Sequence, residues 1–239
     1  MKILALDSSG LVASVAVVED DNLCGEYTMN YKKTHSQTLL PMLDELAKMI
    51  DLDLNTLDAI AVAGGPGSFT GLRIGSATAK GLGLALDKPL IHIPTVDALA
   101  YNLYGSRAVV CPLMDARRNQ TYTGLYEFDR EGMHILRAQC AVGIDEIVDM
   151  VNELGREVVF LGDGVPVFTS YIEEHCKVPY SYAPAHMNKQ RAASVAALAE
   201  IYYANGQTET AEDHRPDYLR LSQAERERLE KEHADHPDA

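Results

Sequence analysis

Apolar and polar positions repeat with two periods along this chain, and the switches between them mark its elements. Lys2 to Leu6 is a short apolar run that stops at Asp7, and Ser8-Ser9-Gly10 is turn chemistry. Val12 to Val18 is rich in valine and alanine and reads as the returning strand. The chain therefore opens with a hairpin that carries a carboxylate and two hydroxyls at its tip. Thr34-His35-Ser36-Gln37 fits a capping box, with Thr34 as N-cap. Leu39, Leu40, Leu43, Leu46, Ala47 and Ile50 follow at helical spacing and predict a helix over 36–50. Met42 and Met49 fall off its main stripe, where they either widen the buried face or meet a partner.

Leu57 to Ala63 predicts a strand that runs into Gly64-Gly65-Pro66-Gly67-Ser68. A second helix is expected from Thr70 to Leu86. In it Gly71, Gly75, Ala79 and Gly83 recur every fourth position and leave one face almost bare. Glycine weakens a helix by about 1 kcal/mol against alanine, so close packing must compensate. Packing on its own domain and packing on a partner both satisfy that requirement. A strand at Pro89–Ile93 and a helix at Val96–Tyr104 complete this half.

The pattern then restarts. Val109 to Met114 is a strand ending at Asp115, Arg117-Arg118-Asn119 is polar, and Thr121 to Phe128 returns. A helix at 145–154, a strand at Val158–Leu161 entering Gly162-Asp163-Gly164, and a helix at 190–203 close the second half. Two hairpin-first units in one chain point to a duplicated α/β domain. The expected divisions are 1–104, 105–205 and a C-terminal extension 206–239, charged and frayed from Glu225 onward.

Two such halves facing a cleft describe an α/β fold of two duplicated RNase H-like halves, as in the actin/Hsp70/sugar-kinase (ASKHA) superfamily. There, hairpin turns and helix N-termini offer N–H groups to phosphates. Asp7, Ser8, Ser9 and Asp115 are the candidate, vestigial phosphate-binding residues, with Gly162 to Gly164 as the second-half counterpart. Asp7 either positions a metal-bound phosphate or only caps its turn.

Charge and residue chemistry narrow the functions. Against 21 Lys and Arg stand 35 Asp and Glu, a net charge of -14. Such a chain is poorly suited to hold RNA by counterion release, so any role in RNA chemistry calls for a basic partner. Cys24, Cys111, Cys140 and Cys176 are too far apart for a metal knuckle and read as reduced, mostly buried thiols. Among the eight histidines only His233 and His236 are neighbours, so spacing predicts no metal site. No phosphate-loop lysine and no nucleophile elbow occur. The acid at position 7 interrupts any signal core, and no apolar run spans a bilayer, so a soluble cytoplasmic protein is expected.

The run Gly65-Pro66-Gly67-Ser68-Phe69-Thr70-Gly71-Leu72-Arg73-Ile74-Gly75 is far more specific than its parts. With Ile3 to Ser9, His35-Ser36, Pro89 to Thr95, Met114 to Arg117 and Pro216-Asp217-Tyr218-Leu219-Arg220, it resembles the TsaB (YeaZ) family. That resemblance implies a non-catalytic scaffold paralogous to the catalytic subunit TsaD. TsaD moves a threonylcarbamoyl group onto the tRNA adenosine beside the anticodon, and the ATPase TsaE docks at the junction of the pair. The catalytic relatives carry a His-x-x-x-His metal pair where this chain has Thr95 and Leu99. Neither replaces imidazole as a ligand. The resemblance implies no cofactor held by this subunit alone, with nucleotide and metal on its partners, and only indirect contact with tRNA.

It also implies pairing through the N-terminal helices. On the first helix that interface would be Ser36, Leu39, Leu40, Met42, Leu43 and Leu46. On the second it would be Gly71, Arg73, Gly75, Ala79 and Leu82. A two-fold homodimer could use the same surface when the partner is absent. The alternatives are a small ASKHA-type kinase with Asp7 as metal anchor or base, and a metallopeptidase, which the missing ligands disfavour.

Overall fold

The computed structural model describes residues 1–31 and 34–219. Two five-stranded sheets carry the duplication. The first has the order β3-β2-β1-β4-β5, built from β1 (Lys2–Asp7), β2 (Ala13–Glu19), β3 (Asn22–Met29), β4 (Ala59–Gly65) and β5 (Leu90–Pro94). The second has the order β10-β9-β6-β7-β8. Its strands are β6 (Val109–Asp115), β7 (Gln120–Asp129), β8 (Gly132–Gly143), β9 (Val158–Leu161) and β10 (Tyr180–Tyr182). In each sheet a three-stranded antiparallel meander leads to two parallel strands: β1 pairs β4 and β6 pairs β9 in parallel. Position for position the two halves have one topology, that of the ASKHA fold.

Alternation along β1 sets the layers. Ile3 and Ala5 face one core, and Leu4 and Leu6 face the other. The second core lies under α1 (His35–Met49) and α2 (Phe69–Leu86). The outer face of the second sheet is covered by α4 (Ile144–Leu154) and α5 (Val165–His175). Between the sheets lie α3 (Thr95–Tyr101) and α6 (Ala192–Ala204).

Several boundaries differ from expectation. The helix assigned to the end of the second half, α6, packs on the first sheet instead. Its small residues Ala192, Ala196 and Ala199 nest against Ile3, Ala5, Ala16 and Ala61, where larger side chains would not fit. The span 105–205 thus holds β6 to β10 together but not α6. The described part of the extension, 206–219, continues over the first half. There Glu209 bridges to Leu90, and the Asp217 N–H donates to the Gly64 carbonyl at 2.7 Å. The charged tail from Glu225 lies outside the described residues. Thr34 is the N-cap of α1, but its side chain makes no capping bond, so the expected box is absent. Of the thiols only Cys111 is fully buried; Cys24, Cys140 and Cys176 are half-buried. Among the described residues no helix is long and apolar enough to cross a membrane.

Candidate functional site

The tip of the first hairpin is closed by the N-terminus of α2. Asp7 is 1% exposed, and its Oδ1 accepts hydrogen bonds from the Ser9 N–H at 2.9 Å and the Ser9 hydroxyl at 2.7 Å. The Ser8 hydroxyl donates to the Gly71 carbonyl at 2.9 Å, and the Ser68 N–H donates to the Ser9 carbonyl at 2.7 Å. A Cβ at Gly71 would stand 2.0 Å from the Ser8 carbonyl oxygen, and one at Gly67 would stand 2.3 Å from that of Ser9. These glycines admit the hairpin into the first turn of α2. Asp7, Ser8 and Ser9 are brought together as expected, yet their polar groups answer one another and α2.

Burial pushes the Asp7 carboxyl up to about 6, and the two bonds from Ser9 offset only part of that. The unfolded chain would ionise near 4. Between those values the fold holds a proton that the unfolded chain has lost. The group favours the fold fully below about pH 4, and that contribution is lost as pH rises through about 6. The difference amounts to roughly 3 kcal/mol. Asp7→Asn keeps an acceptor for Ser9 and removes the charge. It is expected to flatten this fall and to raise stability above about pH 7 by on the order of 1–3 kcal/mol. Urea unfolding of both chains on either side of that range checks it; an unchanged pH slope would refute it.

Beside this tip a cleft of about 480 Å³ runs between the halves. Ser9, Gly10, His35 and Phe69 line it from one side, and Asp115, Arg117, Tyr122 and Asp163 from the other. Asp7 and Ser8 do not reach it. The Arg117 N–H donates to Asp115 Oδ1 at 2.8 Å, and the Arg117 guanidinium pairs with Oδ2 at 3.1 Å. The Asp115 N–H donates to Asp163 Oδ1 at 3.3 Å, and burial pushes the Asp163 carboxyl up. The Gly162 and Gly164 N–H groups donate to the carbonyls of Asn188 and Leu113. Asp115, Asp163 and Asp217 all line this cleft.

One rim is a cluster that spacing could not show. The Arg73 guanidinium lies 3.8 Å above the centre of the Phe69 ring, and its Nε donates to the Tyr218 hydroxyl at 3.3 Å. Tyr218 packs on Phe69 with ring centroids 4.9 Å apart. The two most specific motifs, around Gly67 and around Asp217, thus meet at one place.

Burial divides the residues of the expected pairing surface. Leu39, Met42, Leu43 and Leu46 are between 1% and 7% exposed and belong to the core between α1 and the first sheet. Gly71, Gly75 and Ala79 are buried as well, because α2 turns its small face to the hairpin tip. Ser36, Leu40 and Arg73 are exposed, and Leu82 is half-buried on the core. The outward face of α2 carries a second set of small residues, Ala77, Gly81 and Ala85, with Leu84 at 60% exposure. Among the described residues, nothing outside the helix's own turns lies within 4 Å of a Cβ placed at Gly81. Two small-residue registers share this helix, and only the packing shows which faces outward.

Where the catalytic relatives have histidines, Thr95 is wholly buried and its hydroxyl accepts the Gly65 N–H at 3.0 Å. Leu99 fills the core between the sheets. A set of metal-ligand types does assemble elsewhere: His92, Glu209 and His214 place one ligand atom each within 4.8 Å of one another. Sequence spacing missed it because His92 sits far from the other two in the chain.

Comparison with known proteins places this architecture. The family profile for "TsaD: tRNA N6-adenosine threonylcarbamoyltransferase" matches residues 22–228. The tRNA threonylcarbamoyladenosine biosynthesis protein TsaB of Bacillus subtilis is 33% identical over 96% of this chain and 99% of its own. TsaB of Escherichia coli is 29% identical over 92% of this chain and 95% of its own. The crystal structure of YeaZ from Pseudomonas aeruginosa superposes with a TM-score of 0.77 at 28% identity, covering 91% of this chain and 99% of that one. With the fold, the motif around Gly67 and near full-length matches in agreement, the chain belongs to the TsaB (YeaZ) family of tRNA threonylcarbamoyladenosine biosynthesis proteins.

Proposed function

We propose that this chain is a non-catalytic scaffold, working in the cytoplasm as the partner of a TsaD-type subunit and of the ATPase TsaE. In this reading TsaD transfers the threonylcarbamoyl group to the tRNA adenosine, and this subunit holds it in an active form. The carrying observation is the closed hairpin tip. Asp7 Oδ1 and both serine hydroxyls are occupied by one another and by α2, so these groups of the turn are already bonded and not offered to a phosphate. Thr95 and Leu99 in place of ligating histidines support it, as does the charge of -14, which leaves the basic tRNA surface to the partner. Nucleotide and catalytic metal then belong to the partners.

The pairing face in this proposal is the outward surface of α1 and α2, with Leu40, Ala77, Gly81 and Leu84 at its centre. Small residues there let a partner helix approach closely, and the two leucines supply apolar area. TsaE would dock at the junction, and a homodimer would use the same face.

Phosphate release from Mg·ATP by the purified chain tests the non-catalytic assignment. No release above a buffer blank is expected. Turnover that disappears in Asp7→Asn would replace this reading with that of a small kinase.

A further inference from the structure

We propose that His92, Glu209 and His214 bind one divalent ion of the Zn²⁺ type, which pins the segment 207–217 to the edge of the first sheet. The site lies on β5, at the edge of the first sheet.

Main-chain pairing delivers the ligands. Glu209 and Leu90 exchange two backbone hydrogen bonds of 2.9 Å, which sets the glutamate beside β5. The chain then turns so that the His214 N–H reaches the Thr210 carbonyl at 3.2 Å and its imidazole becomes wholly buried. His92 points from β5 to the same place, with its ring over Gly64. A Cβ at Gly64 would stand 2.1 Å from that ring, so only glycine leaves room for it.

Ligand atoms of the three residues lie within 4.8 Å of one another. The two imidazole rings stand 5.7 Å apart, tilted by 49°. Two histidines on one tetrahedral zinc, with Zn–N of about 2.0–2.1 Å, hold their ring centres about 5 Å apart, so a small closure suffices. Asp217, whose Oδ2 lies 3.3 Å from His92 Nε2, is placed to supply a fourth oxygen.

Independent of this proximity, one wholly buried imidazole nitrogen is left without a hydrogen bond. His214 Nδ1 meets Glu209 Oε1 at 2.6 Å, but His214 Nε2 is buried with no hydrogen bond. His92 Nε2 is also out of reach of solvent and faces Asp217 Oδ2 at 3.3 Å without hydrogen-bond geometry. Buried polar atoms are nearly always bonded, and a buried His–Glu pair alone leaves His214 Nε2 unexplained. A cation bound there supplies the missing partner. The nearby Lys80 ammonium donates to the carbonyls of Glu212 and His214, and the carboxylates of Glu209 and Asp217 outweigh it. Two imidazoles with carboxylate suit Zn²⁺ better than Mg²⁺ or Ca²⁺.

The experiment uses the full chain, stripped with chelator and then titrated with zinc chloride. Bound metal and thermal melting are followed. The expected result is one equivalent of Zn²⁺, a higher melting temperature with zinc, and a loss of affinity of about 100-fold or more in His92→Gln and in Glu209→Gln. Each variant should melt like the stripped wild type, which separates lost binding from lost folding. A chain with His233→Ala and His236→Ala should keep the site. Zinc bound equally well by His92→Gln and wild type, zinc lost with the tail histidines, or no stoichiometric zinc at all would each overturn the proposal.

Discussion

Gly75→Glu is expected to unfold the first half of the molecule, and not merely to break an assembly. A Cβ at Gly75 would stand 2.5 Å from the Ser8 hydroxyl and 3.6 Å from Val62. Overpacking of this kind costs about 1–3 kcal/mol. The carboxylate would lie beneath α2 without a partner, for several kcal/mol more. The gain of about 1 kcal/mol from replacing a helical glycine does not offset that. A total above roughly 4 kcal/mol is a large share of the stability of an ordinary domain. Circular dichroism and a urea titration check it. A folded Gly75→Glu chain that melts like wild type would mean that α2 does not bury this face.

Gly81→Arg should do the opposite. Two turns away, Gly81 faces outward, and none of the described residues outside the helix's own turns comes within 4 Å of an added Cβ. The isolated chain should stay folded, and gain as much as about 1 kcal/mol from the lost glycine. Pairing with the TsaD-type partner should weaken by about 100-fold or more, near 3 kcal/mol, because a long charged side chain prevents close helix approach. Sedimentation or calorimetry with purified partner reads this directly. Unchanged affinity would move the interface off α2. The two glycines lie on one helix, so the contrast between them separates loss of fold from loss of assembly.

Much of the architecture is legible in the sequence because burial imposes clear periods. β1, β2, β4, β6 and β9 are buried almost throughout and read as apolar runs. The edge strands β3 and β8 bury almost no residue fully, so polar residues break their alternation and the pattern predicts no strand there. The helix α5 opens with Val-Pro-Val and buries only Phe168 and Ile172, which leaves too faint a stripe. The return of α6 to the first sheet could not be read at all. Its hydrophobicity is spread around the helix, so no face names its sheet. The same limit applies to the two small-residue stripes of α2. The stripe Gly71, Gly75, Ala79, Gly83 and the stripe Ala77, Gly81, Ala85 look alike as sequence, and Ser8 decides between them by touching Gly71 and Gly75. The clusters of Arg73 with Phe69 and Tyr218, and of His92 with Glu209 and His214, join residues distant in the chain.

The central claim is that this subunit is needed for the modification while its own turn chemistry is not. The measurement is the threonylcarbamoyladenosine content of tRNA from cells depleted of the protein and supplied with wild type, Asp7→Asn or Gly81→Arg at matched levels. Depletion should collapse the modification, wild type and Asp7→Asn should restore it, and Gly81→Arg should not. Restoration by Gly81→Arg together with failure of a stably folded Asp7→Asn would contradict the scaffold and point to chemistry at the hairpin tip.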